Sequence, residues 1–189
     1  MFMSWADALC GIFDDLEQQA EGLHLAERDA DVADRSVGEY AKVNMASRLH
    51  ASVGAPLTMT VSGVGRLHGI LVRVGLDWCL LRGETAGQEW IVRLAALTDV
   101  RGASGRAVTE PARTVLTRLA LGSALRGVVD SGTTTTLLLV DGAAARGSLL
   151  RVGADFVEIC EDGSEDLARG RGRPTVLHPF TALAAVRRP

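Results

Sequence analysis

Arginine side chains at five positions are the groups in this sequence best suited to contact a nucleic acid. Three of them, Arg169, Arg171 and Arg173, alternate with glycine just ahead of a proline. Arginines of this kind suit the minor groove of DNA, where a narrow groove concentrates negative potential. The other two, Arg73 and Arg151, hold the same place in two similar stretches, LVRVGLDW and LLRVGADF. These five arginines are the predicted nucleic-acid-binding residues.

The run RGRP also resembles the core of an AT-hook, a short DNA-binding motif. Its flanks lack the further basic residues and prolines of a strong hook. Acidic side chains precede the arginines instead, at Glu158, Glu161, Asp162, Glu165 and Asp166. A charged hairpin tip that neutralises itself is therefore the alternative interpretation of this loop.

Recognisable catalytic and metal-binding patterns do not occur in the sequence. GxSxG and HExxH are missing, and the run GVGRLHG has the spacing of a tight hairpin turn and not that of a phosphate loop. The histidines show no i, i+4 pairing; they are His24, His50, His68 and His178. The cysteines lack CxxC spacing; they are Cys10, Cys79 and Cys160. We expect a non-enzyme without metal or cofactor, with its cysteines buried as apolar residues.

Composition indicates a globular protein of the cytoplasm. The chain has 189 residues, of which 47% are hydrophobic and 23% charged, which is ordinary for a soluble domain. The N-terminus lacks the basic start and apolar run of a signal peptide, and no apolar stretch is long enough to span a membrane. Arginine greatly outnumbers lysine, whose only copy is Lys42; this usage is typical of a GC-rich bacterial genome.

Charge divides the chain into an acidic arm and a mildly basic remainder. Residues 1–50 hold ten acids and four Lys or Arg, whereas residues 51–189 hold thirteen acids and sixteen Arg. The formal charges are therefore −6 and +3. A body at +3 is far less basic than a dedicated nucleic-acid binder.

Residues 1–45 form the predicted acidic helical arm. Apolar and small residues follow a heptad-like spacing, at Trp5, Leu9, Ile12, Leu16, Leu23, Ala26, Ala30, Ala33, Val37 and Tyr40. The pattern predicts one long helix, or two helices with a break near Gly22. Its apolar seam is covered either by a second copy, as a coiled-coil dimer, or by the rest of the chain. The dimer is the favoured interpretation.

The two similar stretches belong to a longer internal repeat. At an offset of 78 residues, Gly69 aligns with Gly147 and Leu71 with Leu149. The offset then grows to 86, because the second copy has eight extra residues in one loop. Each copy predicts a short helix followed by five strands, with glycines at bends in the long strand. The sheet is expected to bend into a small barrel that buries Leu71, Val74, Leu149 and Val152.

The order of helix, strand, G-x-L-x-x-V strand, hairpin and closing VRG at residues 100–102 resembles the Sm-like, or SH3-like, small barrel. The resemblance implies tandem five-stranded barrels over residues 46–102 and 123–189, joined by a linker at 103–122. The RNA site of that family does not carry over, because no asparagine follows Asp77 or Asp155. The Tyr-Lys-His triplet of its bacterial RNA-chaperone branch is missing as well.

Two functions follow as expectations. The first is a non-catalytic regulator that binds RNA or DNA through tandem barrels and the five arginines. The alternative is a scaffold or assembly protein that uses the helical arm and the barrel edges to bind protein, including a second copy. No membrane partner is expected.

Overall fold

The computed structural model describes residues 38, 40–84, 87–108, 119–162 and 175–188. Contacts divide the chain into two compact units, Met1–Asn44 and Met45–Pro189. In the first unit, the described residues include a turn in which the backbone N–H of Val43 donates to the carbonyl of Tyr40 at 2.9 Å. The predicted acidic arm lies almost entirely outside the described residues.

The second unit contains two copies of one order of elements. The half with the first copy has helix α1 (Met45–His50) and strands β1 (Pro56–Val61), β2 (Gly65–Val74), β3 (Trp78–Gly83), β4 (Glu89–Arg93) and β5 (Leu97–Arg101). The half with the second copy has helix α2 (Leu121–Ser131) and strands β6 (Thr135–Leu139), β7 (Ala144–Val152), β8 (Phe156–Glu161), β9 (Thr175–Pro179) and β10 (Leu183–Arg188). A 3₁₀ turn precedes the last strand of each half, at Leu94–Ala96 and Phe180–Ala182. The predicted short helices and five strands per copy are confirmed.

The ten strands of the described residues form one antiparallel sheet that does not close. The strand order is β5-β1-β2-β3-β4-β10-β6-β7-β8-β9. The prediction of two closed Sm-like barrels is therefore wrong, and with it the family resemblance. The physical reason is that β4 forms its second ladder with β10 of the other half, from Val92 opposite Ala185 to Glu89 opposite Arg188. A strand has only two sides for hydrogen bonding, so β4 cannot also close its own half. The predicted domain boundaries stay a prediction.

The predicted long N-terminal helix and coiled coil have no counterpart in the described part of the chain. The two helices with described bounds have six and eleven residues, and neither has the length and apolar character needed to cross a lipid bilayer.

Alternation along β1 explains how the sheet buries one face. In PLTMTV, the side chains of Leu57, Met59 and Val61 are buried, whereas the threonines between them are half exposed. This is the period of two that a strand imposes on its side chains. The turn that follows, in GVGRLHG, is the predicted tight hairpin between β1 and β2.

The strands at the centre of the sheet are apolar on both faces. On β4, Val92 belongs to the core of the first half, whereas Ile91 belongs to the core of the second half. On β10, Ala185 belongs to the first core and Val186 to the second. Each half therefore contributes side chains to the core of the other half across the β4–β10 ladder.

Candidate functional site

The structure separates the predicted nucleic-acid-binding arginines. Arg73 is exposed on β2, and Arg151 is exposed on β7, with four strands between them in the sheet. The Arg151 Nε lies 2.7 Å from a carboxylate oxygen of Glu158 on the neighbouring strand. Arg169, Arg171 and Arg173 lie outside the described residues. The described pair therefore lies on strands of two different halves, and nucleic-acid binding by these arginines stays a prediction.

The structure describes some of the side chains that could bind a metal ion and two of the three cysteines. Within the described ranges, no three His, Cys, Asp or Glu side chains are close enough together to hold a metal ion. Cys79 and Cys160 are free and buried, as predicted, and Cys10 lies outside the described residues. Burial raises the pKa of the Cys79 thiol to about 12, which makes it a poor nucleophile at neutral pH.

The β4–β10 ladder joins the two halves of the second unit, and this contact is called the join. Ile91 lies opposite Val186, and both side chains are at least 95% buried. At the end of the ladder, the Arg188 guanidinium lies 3.6 Å from the Glu89 carboxylate. The join thus combines a backbone ladder, an apolar contact across it and an ion pair, the features by which edge strands recognise one another.

A second contact joins the β2–β3 turn to the start of α2. The Asp77 carboxylate accepts a hydrogen bond from the backbone N–H of Leu121 at 2.7 Å. The indole N–H of Trp78 donates to the carbonyl of Leu119 at 2.9 Å. Trp78 is buried and belongs to the core of the second half. The first half therefore inserts side chains into the second half at two places.

The terminal strands of the sheet, β5 and β9, are the repeat counterparts of the two strands that form the join. The 86-residue offset makes β5 the counterpart of β10, and β9 the counterpart of β4. Both counterparts are terminal strands of the described sheet. Leu177 on β9 is 58% exposed, although its counterpart Ile91 is only 5% exposed. Each half thus repeats one strand of the join, and no described strand pairs with the outer side of either repeat. These outer sides of β5 and β9 are called the open edges.

A cavity of about 410 Å³ lies between α1 and β5. Its lining comprises Met45, Arg48, Leu49, Leu97, Thr98, Asp99, Val100, Gly102 and Ala103. In the second half, the counterparts of Leu97 and Val100 are Leu183 and Val186, and both belong to the same core cluster as Ile91. Leu125, on the helix of that half, belongs to the cluster as well. The cavity therefore occupies the position in the first half that corresponds to the site of Ile91 in the core of the second half.

Polar residues replace apolar ones at one matched pair of positions on the open edges. In the join, Val92 lies opposite Ala185. Their counterparts on β9 and β5 are His178 and Asp99. The Nε2 atom of His178 is buried and has no hydrogen-bond partner among the described residues. An unpaired buried nitrogen is costly, and a carboxylate is the acceptor that would satisfy it.

No protein-family model matches this chain, and no curated protein matches it. Neither comparison supports the Sm-like resemblance or the predicted RNA or DNA binding.

The sequence interpretation missed the residues of the join and of the open edges. The signal was present in the strands WCLL and EWIV, which are nearly continuous apolar runs where a sheet with one solvated face would alternate. Leu177 and Ile91 align in the repeat, so the same signal marks an exposed leucine on β9. Alignment alone does not tell which strand each one faces.

Proposed function

We propose that this protein is a non-catalytic scaffold that binds protein partners by adding a strand to an open edge of its sheet. The observation that carries the proposal is the cavity between α1 and β5, which lies directly beside an edge strand. Strand addition draws its affinity from the backbone ladder and its specificity from side-chain pockets along the edge. β5 supplies both requirements.

The geometry supports a protein partner better than a nucleic acid. Arg101 on β5 lies 3.6 Å from the Asp99 carboxylate, which reduces the positive potential that it offers to phosphates. Leu177 on β9 adds a large exposed apolar side chain at the other edge. Nucleic-acid binding by the arginines predicted from the sequence stays an untested prediction, and it is one outcome of the experiment below.

A cytoplasmic location is part of the proposal. Cys79 and Cys160 are free and buried rather than paired, which suits a reducing compartment.

A photoreactive amino acid at the two edges tests the proposal in cells. One variant carries it at Thr98 on β5, one at Leu177 on β9, and a control carries it at Leu150 on the interior strand β7, where the native side chain is 42% exposed. We expect discrete protein adducts from an edge position and none from Leu150. Nuclease-sensitive adducts, equal adducts from Leu150, or no protein adduct from either edge would each overturn the proposal.

A further inference from the structure

We propose that the partner at the open edges is a second copy of this chain, with β9 of one copy pairing with β5 of the next. This inference rests on the proposed function and names the partner of the same edges. The resulting contact is heterologous, because two different surfaces meet. Each copy offers both surfaces, so the assembly either closes into a ring or extends.

The first observation is the equivalence between the internal join and the open edges. The join places β4 against β10, and the repeat copies each of these strands once more, as β9 and β5. The register of the join carries over to the proposed contact. Ile91 opposite Val186 becomes Leu177 opposite Val100, and Val92 opposite Ala185 becomes His178 opposite Asp99.

The second observation is the fit of Leu177 to the cavity. Val176 on β9 packs against the core of its own half. Leu177 therefore points to the opposite face, since successive side chains alternate in a strand. Ile91 takes this direction and enters the core beyond the join. The corresponding destination of Leu177 is the cavity lined by Leu49 and Val100 in the next copy.

The third observation is the paired change at His178 and Asp99. Directly opposed residues of an antiparallel pair project to the same face, with Cβ atoms about 5 Å apart. In the join, both of these positions are apolar and buried. At the open edges, both become polar together, as a donor and an acceptor. The pairing places the Asp99 carboxylate on the same face as the His178 imidazole, whose Nε2 atom has no partner among the described residues.

Sedimentation velocity of the purified full chain over a range of concentrations tests the contact. We expect concentration-dependent association of the wild-type protein. Leu177→Asp should weaken it by at least about tenfold, because the change replaces the apolar contact with Leu49 and Val100 by a charge that must lose its water. Leu150→Asp introduces the same charge at an exposed position away from the edges and should leave association unchanged. Unfolding midpoints of both variants verify that each is folded.

An exchange of the side chains at positions 178 and 99 tests whether these two residues face each other. His178→Asp opposes two carboxylates, which repel each other, and Asp99→His removes the carboxylate that faces His178. Each variant alone should therefore associate at least about tenfold more weakly than wild type. A mixture of the two variants restores opposite partners at every contact and should recover association. A mixture that does not recover, or single variants that associate like wild type, would overturn the inference.

The two proposals fail in different ways. If the purified chain remains a monomer at every concentration while edge positions still crosslink to a different protein, the second copy is the wrong partner and the scaffold stands. If neither association nor edge crosslinking occurs, both proposals are wrong. Association that survives every edge variant points to another interface, such as the predicted helical arm, and rejects the β9–β5 contact.

Discussion

The Asp77 carboxylate caps a helix that begins 44 residues later in the chain, by accepting a hydrogen bond from the backbone N–H of Leu121 at 2.7 Å. The residue at the N-cap position itself, Ala120, supplies no side-chain cap. A helix start has unpaired N–H groups and a positive dipole end, and a carboxylate satisfies both. A side chain of the first half therefore replaces a local cap in the second half.

Replacing Asp77 tests this long-range cap. Asp77→Ala should lower the free energy of unfolding by roughly 0.5–2 kcal/mol, the range for loss of an N-cap. Urea unfolding measures the change. Asp155→Ala is the matched control, because Asp155 holds the equivalent position in the repeat but is exposed. Equal losses at both positions would show that Asp77 acts within its own turn and not on α2.

Leu149 tests the core of the second half. Its side chain is 6% exposed on β7, and the next residue, Leu150, is 42% exposed. Leu149→Ala should cost roughly 2–5 kcal/mol, because it removes buried apolar atoms and leaves a cavity. Leu150→Ala should change the unfolding free energy by less than about 0.5 kcal/mol. If Leu149→Ala unfolds at the same midpoint as the wild type, Leu149 does not contribute to the core.

Gly147 tests the close approach of β7 and β8. A Cβ atom at this position would lie 2.0 Å from the carbonyl oxygen of Cys160, so Gly147→Ala should destabilise the fold by about 1–3 kcal/mol or more through overpacking. Gly127→Ala is the contrasting variant, because Gly127 lies within α2 and a Cβ atom there meets open space. It should stabilise the protein by about 0.5–1 kcal/mol. Thermal or urea unfolding of the two variants measures the expected loss of stability in Gly147→Ala and the expected gain in Gly127→Ala.

The buried Cys79 thiol should lower the free energy of unfolding at alkaline pH. Its pKa is raised from 9.0 to about 12 by burial, so above pH 9 the unfolded chain loses the thiol proton while the folded chain keeps it. Stability is then fully present below pH 9 and falls as pH rises toward 12, by up to about 1.4 kcal/mol per pH unit. Urea unfolding at several pH values should show this slope in the wild type.

Cys79→Ala provides the control for that slope. The variant loses packing at all pH values, but the difference from wild type should shrink as pH rises above 9, because only the wild type has the thiol to titrate. The chain has one lysine and one tyrosine, so few other groups titrate in this range. A difference that is constant with pH would contradict the prediction.

Local features of the sequence determined the elements of this fold. PLTMTV alternates apolar and polar side chains, and a strand is the structure whose period of two places the apolar ones on one face. The repeat at offsets of 78 and 86 determined that the same helix and five strands occur twice, with Gly69 and Gly147 at equivalent close approaches of neighbouring strands. These features depend on neighbouring residues, so they can be predicted from the sequence alone.

Tertiary structure alone decided which strands meet. Whether β4 pairs with its own half or with β10 depends on backbone N–H and C=O groups, which are the same in every strand and leave no mark in the sequence. The side chains show only that both faces of β4 are buried. That burial is satisfied by a closed barrel stacked on a neighbour or by one continuous sheet, and the packing of Ile91 into the second core selects the sheet. The open edges and the cavity at β5 follow from that choice, so the candidate site could not be located before the strand order was known.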